Sequence, residues 1–328
     1  MSLLQVKNLN IDFSTSTGVI QALRDVNFRL EEGEALGIVG ESGSGKSVTS
    51  LALFDLLASN SIVRSGEIFF KGRDIRKMSE AEKLKLRGAD ISMIFQDPMS
   101  SLNPCFTVEY QISEVLKVHQ GLTGASARDK ILELLRQVGI PDPQSRLHVY
   151  PHELSGGMSQ RVMIAIAIAC SPKILIADEP TTALDVTIQK QILSLLQKLR
   201  KEKKMSLVLV SHDLGVIAQN TDRLLVMYAG EIVEEGDSMA VIQKPTHPYT
   251  EGLLQCLPGL HSHESRDFRL PTIPGIVPNL GQRPSGCQLN PRCPYKKKNC
   301  EEKPVPLFQV QANREARCLY PLNVERSL

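Results

Sequence analysis

The run Gly40-Glu41-Ser42-Gly43-Ser44-Gly45-Lys46-Ser47 constrains this chain more than any other, because a loop of that composition has a purpose only where a strand hands over to a helix. Glycines let successive backbone N–H groups turn toward one point, and the first turn of a helix adds its own unpaired N–H groups and the positive end of its dipole. An anion is what such a point attracts. The flanking residues supply the context. Ala35-Leu36-Gly37-Ile38-Val39 has the length and apolarity of a buried parallel strand, and Val48 to Leu57 can continue as a helix. Gly40 and Gly45 stand at the spacing of a nucleotide phosphate loop. Lys46 is expected along the β- and γ-phosphates, and the Ser47 hydroxyl is expected to complete a magnesium shell of oxygens and water.

A second stretch fits the same chemistry. Ile174-Leu175-Ile176-Ala177 reads as an apolar strand that delivers Asp178 and Glu179 at its end. Neighbouring strand residues point to opposite sides, so the two acids cannot share one task. Asp178 is expected to hold magnesium through water, and Glu179 to orient or deprotonate the water attacking the γ-phosphate. Acidic residues also end strands for structural reasons, but that reading leaves the glycine loop unexplained. Ser155, Gly156 and Gly157 precede the apolar run 161–170 and present bare N–H groups at a helix start, a second anion site.

In this order the motifs resemble the ATP-binding cassette family over nearly the whole chain. The resemblance implies a phosphate-loop α/β ATPase core with a helical subdomain, and it extends the nucleotide contacts over residues 40–48. Phe13, in Ile11-Asp12-Phe13, is similar to the aromatic residue that stacks on adenine, where the family more often has tyrosine. Gln96, after Ser92-Met93-Ile94-Phe95, resembles the glutamine that touches magnesium and the attacking water. Leu154-Ser155-Gly156-Gly157-Met158-Ser159-Gln160 looks like the signature, which implies that Ser155, Gly156, Gly157 and Gln160 act on a partner subunit's nucleotide. Asp185 resembles the loop that bridges two sites, and His212, after Leu207-Val208-Leu209-Val210-Ser211, resembles the switch histidine on the γ-phosphate. Val48 stands where many relatives carry a hydroxyl near the α-phosphate, a position its backbone N–H can still serve. Taken singly, Phe13 reads equally well as core, Gln96 as a loop residue, Asp185 as a helix cap and His212 as a satisfied strand-end histidine.

Composition narrows the function. With 42 % hydrophobic residues the 328-residue chain can bury a large core, and its formal net charge of +2 gives no electrostatic reason to expect nucleic acid. The longest apolar stretch, 162–170, is far too short to span a bilayer. The opening Leu4-Gln5-Val6-Lys7 alternates like a strand and lacks the basic-then-apolar plan of a leader, so membrane association is expected through partner subunits. Strand-like and helix-like runs alternate from 35 to about 230, which predicts a covered parallel sheet. Residues 97–153 carry helical patterning at 107–119 and 127–138, with a break at 139–143. The expected organisation is an ATP-binding domain over 1–236, with 97–153 as its helical subdomain, and a loop-rich extension over 237–328.

The extension carries Cys287, Cys293, Cys300 and Cys318, whereas Cys105, Cys170 and Cys256 are scattered and expected to be ordinary buried thiols. Four cysteines in a proline-rich segment of a cytoplasmic ATPase read first as a metal site, and nearby Arg292 and Lys296 to Lys298 are expected to lower their thiolate pKa values. The gaps are wider than zinc pairs prefer. His247-Pro248-Tyr249-Thr250, Pro274-Gly275, Gly286-Cys287 and Pro291-Arg292-Cys293-Pro294 resemble the carboxy-terminal extension of oligopeptide- and dipeptide-uptake ATPases, some of which hold a [4Fe–4S] cluster there; zinc or no metal are the alternatives. Residues 97–104, Asp-Pro-Met-Ser-Ser-Leu-Asn-Pro, point to the dipeptide type.

This resemblance implies an ATPase using ATP and Mg2+ at the cytoplasmic face of the inner membrane. It would work with two transmembrane permease subunits and a second ATPase subunit, in a heterodimer or a homodimer, and indirectly with an extracytoplasmic peptide-binding protein. The competing readings are a nickel, opine or antimicrobial-peptide importer ATPase, a cluster-assembly ATPase, and a soluble cassette ATPase acting on nucleic acid or ribosomes. The last usually splits or doubles the cassette, and here there is one uninterrupted copy.

Overall fold

The computed structural model describes residues 2–16, 18–182, 184–257 and 271–324. The chain forms two compact units, one of residues 1–30, 35–76 and 210–328, the other of 31–34 and 77–209.

The first unit opens with β1 (Leu4–Thr15) and β2 (Gly18–Leu30), then β3 (Ala35–Val39), α1 (Lys46–Leu53), β4 (Ser61–Phe70) and β5 (Arg73–Asp74). Four of these strands make an antiparallel sheet in the order β2-β1-β4-β5. This sheet departs from the purely parallel expectation over 35–230, since β4 and β5 turn back on β1. The rest of the unit is α9 (Leu214–Asn220), β9 (Arg223–Tyr228), β10 (Glu231–Asp237), α10 (Ser238–Gln243), α11 (Pro248–Gln255), β11 (Phe308–Gln311) and β12 (Arg314–Ala316). β3 is buried along its length and runs parallel to β9, as a continuous apolar run predicts. β9, β10, β12 and β11 then follow in antiparallel steps. α1 stops at Leu53, short of Leu57, because Asp55 adopts a left-handed φ of 52° that no helix can continue through.

The second unit holds α2 (Glu80–Leu86), β6 (Ile91–Ile94), α3 (Pro98–Ser101), α4 (Val108–Gln120), α5 (Gly124–Gln137), α6 (Pro143–Arg146), α7 (Gly156–Ile168), β7 (Ile174–Asp178) and α8 (Val186–Lys203), and it contains the start of β8 (Ser206–Ser211). β6 and β7 are parallel and fully buried. Between 97 and 153 the described backbone is helical or irregular with no strand, as the patterning requires. α4 buries Val108, Ile112 and Leu116, α5 buries Ile131, Leu134 and Leu135, and both pack on α7. That i, i+4 stripe is what an amphipathic helix offers a buried one.

One of the anchors that tie the proline-rich segment into the first unit is a fully buried carboxylate, Glu234 of β10. It accepts hydrogen bonds from Thr246 N and Oγ1 (2.8 and 2.7 Å), His247 N (2.9 Å) and Arg314 Nη2 (2.7 Å). His247 caps α11, its Nδ1 accepting from Tyr249 N at 3.1 Å ahead of Pro248 at the first helical position. Desolvation pushes His247 down from 6.5 to about 4, outweighing the attraction of Glu234. The unfolded chain therefore takes up this proton first, so the stability the neutral ring contributes is present above pH 6.5 and declines as pH falls toward 4. His247→Asn keeps a cap acceptor and removes the titration. Chemical unfolding at pH 7 and pH 5 should show the variant losing about 2 kcal/mol less than the wild type across that interval, and equal losses would contradict the buried neutral ring.

Candidate nucleotide site

The phosphate loop joins β3 to α1 in the first unit. A Cβ on Gly40 would lie 2.2 Å from the Met227 carbonyl oxygen and 2.6 Å from Ser44 Oγ, so only glycine fits there. Gly45 has φ +103°, and a Cβ would lie 2.7 Å from a Leu23 methyl. Gly43 differs: its φ is +78°, but nothing lies within 4 Å of where a Cβ would be. The loop is closed underneath and open over Gly43. Ser44 is fully buried, and its carbonyl accepts from Gly230 N at 2.9 Å. Lys46, 5 % exposed, folds its ammonium onto the Gly40 and Glu41 carbonyls at 2.8 and 3.1 Å, while Ser42, Gly43 and Ser47 are exposed and Val48 is half-buried.

The outer edge of the loop has contacts that sequence reasoning missed. Glu41 N donates to Tyr249 Oη at 2.9 Å, and the Glu41 carboxylate receives a bidentate fork from Arg292 at 2.8 and 3.1 Å. In sequence, Tyr249 carries only the resemblance to the uptake ATPases and Arg292 stands beside a cysteine; no local pattern couples positions 208 and 251 residues apart.

In the second unit Asp178 is buried at the end of β7 and Glu179 is half-buried beyond it. Glu179 has φ 46°, a conformation non-glycine residues rarely hold, and strain of that kind collects where a side chain must be aimed. Its Oε2 accepts from Gln96 Nε2 at 3.3 Å and Thr182 Oγ1 at 3.0 Å. The fold thus brings Gln96 and Glu179 together. Ser155 caps α7, its Oγ accepting from Met158 N at 3.4 Å, and the helix starts at Gly156, five residues ahead of the apolar run. Ser155 and Gly156 are exposed, whereas Gln160 is 1 % exposed inside the α7 packing and so does not lie on the exposed first turn. Asp185 caps α8, accepting from Thr187 N and Ile188 N at 3.0 Å. In the first unit, His212 is exposed after β8, and half-buried Phe13 in β1 faces Ile20 and Ser61 across its neighbours.

A family model described as ABC transporter matches residues 23–182, and one described as the C-terminal region of oligopeptide/dipeptide transporters matches 233–300. The dipeptide transport ATP-binding protein of Escherichia coli K12 is 50 % identical over 98 % of both chains. That of Haemophilus influenzae is 51 % identical over 98 % of this chain and 97 % of its own. The chain belongs to the ABC transporter ATP-binding family. It is an ABC-type ATPase, for which ATP and Mg2+ are the expected cofactors. The oligopeptide transport ATP-binding protein of Salmonella typhimurium LT2 is 48 % identical over 98 % of this chain and 94 % of its own. Among solved structures, a dimeric ATP-binding cassette in a post-hydrolysis state with ADP and phosphate aligns at TM-score 0.65 and 30 % identity, covering 72 % of this chain and 98 % of the other.

The family's C-terminal region includes the cysteines. Cys287, Cys293, Cys300 and Cys318 line one small cavity with Leu289, Val305, Tyr295 and Tyr320, and all four are free thiols. Burial pushes Cys287 up to about 11 and Cys318 up to about 12, and raises Cys293 as well. For these three thiols the expectation that nearby cations would lower the values is overturned, and three of those cations are engaged elsewhere. Arg292 serves Glu41, Lys296 pairs with Glu301 at 2.5 Å, and Lys297 lies 3.9 Å over the Tyr320 ring centroid. Among the described residues no three His, Cys, Asp or Glu side chains converge on a single metal ion. Cys105 is exposed, against the expectation of burial, while Cys170 and Cys256 are half-buried.

The unequal surroundings of the loop glycines make a test. Gly40→Ala forces a Cβ into a backbone carbonyl and should destabilise the protein by about 3 kcal/mol, whereas Gly43→Ala bears only the left-handed backbone penalty of about 1–2 kcal/mol. Thermal unfolding of the two variants should rank them in that order; the reverse order would mean that the cradle is closed on its other side.

Proposed function

We propose that this ATPase powers import of dipeptides or short oligopeptides from the cytoplasmic face of the inner membrane. In this reading it pairs with a second ATPase subunit, a heterodimer being favoured, on two transmembrane permease subunits, and an extracytoplasmic binding protein delivers the peptide. The observation that carries it is the identity of about half of all residues with dipeptide transport ATP-binding proteins over nearly the full length of both chains. No helix among the described residues is long and apolar enough to cross a membrane, so attachment is assigned to the permease subunits.

In the same proposal residues 1–236 form the cassette, 97–153 its helical subdomain, and 237–328 the extension. The loop N–H groups and Lys46 take the phosphates; Ser47, Gln96 and Asp178 serve magnesium; Phe13 stacks on adenine. Glu179 orients the attacking water, and His212 holds the γ-phosphate. Ser155 and Gly157 act on the partner's nucleotide. The hydrogen bond between Gln96 and Glu179 supports the pairing of these two residues around one water, since an amide and a carboxylate side by side offer that water a donor and an acceptor. Glu179→Gln should lower steady-state hydrolysis by at least about 100-fold while ATP binding stays intact, because Lys46, Ser47 and Asp178 remain. Near-normal turnover in the variant would remove Glu179 from this role.

The four thiols are proposed to hold a [4Fe–4S] cluster. Soft donors around one apolar cavity favour it, and a cluster spreads its thiolates wider than a single ion does. Ligation would require deprotonated thiols, against the burial that pushes Cys287, Cys293 and Cys318 up. Anaerobically purified protein should contain iron and sulfide in equal amounts, and Cys293→Ser should abolish both. One zinc per chain would replace this assignment, and metal-free protein would remove it.

A further inference from the structure

We propose that Arg292, seconded by Tyr249, is a positioning residue for ATP: it holds Glu41, and through Glu41 the phosphate loop, in the conformation that binds the nucleotide. The proposal rests on the ATPase reading above and makes the segment beyond residue 236 part of the nucleotide-binding apparatus.

The Arg292 side chain is 4 % exposed, and each of its five N–H donors is used. Nε donates to the Pro274 carbonyl at 2.8 Å. Nη1 donates to Glu41 Oε2 at 2.8 Å and Tyr228 Oη at 3.3 Å, and Nη2 donates to Glu41 Oε1 at 3.1 Å and the Ile273 carbonyl at 3.3 Å. Three of the five therefore fix the guanidinium, and the remaining two form a fork on one carboxylate. A lysine could not reproduce this, since an ammonium has three donors and no plane. The second hold on Glu41 is at its main chain, where N donates to Oη of the fully buried Tyr249 at 2.9 Å. The Tyr249 and Tyr228 rings pack at a centroid distance of 4.6 Å, which locks both hydroxyls.

The consequence for ATP is electrostatic and conformational. Glu41 directly follows Gly40 in a loop that must receive a multiply charged anion, and its carboxylate is 31 % exposed. An unpaired carboxylate there would repel the phosphates and compete for the ammonium and N–H groups meant for them. Arg292 neutralises it and draws it to the outer edge. With the Glu41 N–H held from outside, the loop has fewer conformations to lose when ATP arrives.

A double-mutant cycle in the full-length subunit separates this from a contribution to overall stability alone. Arg292→Met should raise the Kd and KM for ATP about tenfold with kcat within about twofold, and Arg292→Lys should behave like Arg292→Met. Adding Glu41→Gln to Arg292→Met removes the stranded charge and should return KM to within about threefold of the wild type. If Arg292→Met fails to fold, Tyr249→Phe, which removes one hydroxyl, should still raise the ATP Kd about threefold. A fall in melting temperature with unchanged KM, or no recovery on adding Glu41→Gln, would overturn the proposal. A wild-type protein that binds ATP without hydrolysing it would instead contradict the ATPase reading.

Discussion

A phosphate loop works by leaving the inner face of its backbone unpaired, so whatever holds it in shape must act from behind. In the first unit that support is continuous. The Gly40 and Met227 backbones touch too closely for any side chain, Gly230 N holds the Ser44 carbonyl, and Arg24 N in turn holds the Gly230 carbonyl. Gly230 must be glycine, with φ +80° and the Ala22 carbonyl oxygen 2.1 Å from where a Cβ would be. Arg283 crosses the same junction, donating to the Ala229 and Gln21 carbonyls at 2.6 and 2.8 Å. Arg292 and Tyr249 complete the support at Glu41.

Proline-rich composition reports a lack of periodicity, which is a different matter from a lack of core. Beyond residue 236 the chain still buries Tyr249, Leu289, Val305 and Ala316, and β12 pairs Ala316 with Glu234 of β10. Its organisation comes from a few polar anchors: Glu234 collects Thr246, His247 and Arg314, and Arg292 collects Glu41 and the carbonyls of 273 and 274. Buried charged groups of this kind persist only when nearly every donor and acceptor is met, which fixes the segment in one arrangement. The same segment supplies Arg292 to the loop and Cys293 to the thiol cavity.

What the sequence disclosed is what local rules encode. The glycine spacing of 40–45, the apolar runs of β3, β7 and β8 and the helical stripes of α4 and α5 depend on neighbours within a few residues, and each appears where the pattern put it. In the antiparallel sheet of β2, β1, β4 and β5 the pairings of β1 with β2 and of β4 with β5 are local, meeting at Thr15 and Gly18 and at Phe70 and Arg73, whereas the pairing of β1 with β4 was illegible because it joins segments about 60 residues apart. Gln160 enters the nucleotide contacts by resemblance alone, and its burial was illegible because helix periodicity does not say how many sides of α7 are covered; α7 buries eight of its side chains. The lysines near the cysteines misled for a related reason: proximity in sequence set the expectation, while pairing with Glu301 and Tyr320 in space set the outcome.

In the proposed function, ATP hydrolysis by this chain is spent on peptide uptake. The most direct measurement uses proteoliposomes carrying the subunit with its permease and second ATPase partners, filled with ATP and Mg2+ and bathed in binding protein and labelled dipeptide. Accumulation of dipeptide that requires internal ATP, together with hydrolysis that rises when the peptide-loaded binding protein is added, is the predicted result. Hydrolysis indifferent to peptide, with no uptake of dipeptides or longer oligopeptides above that of ATP-free vesicles, would contradict it.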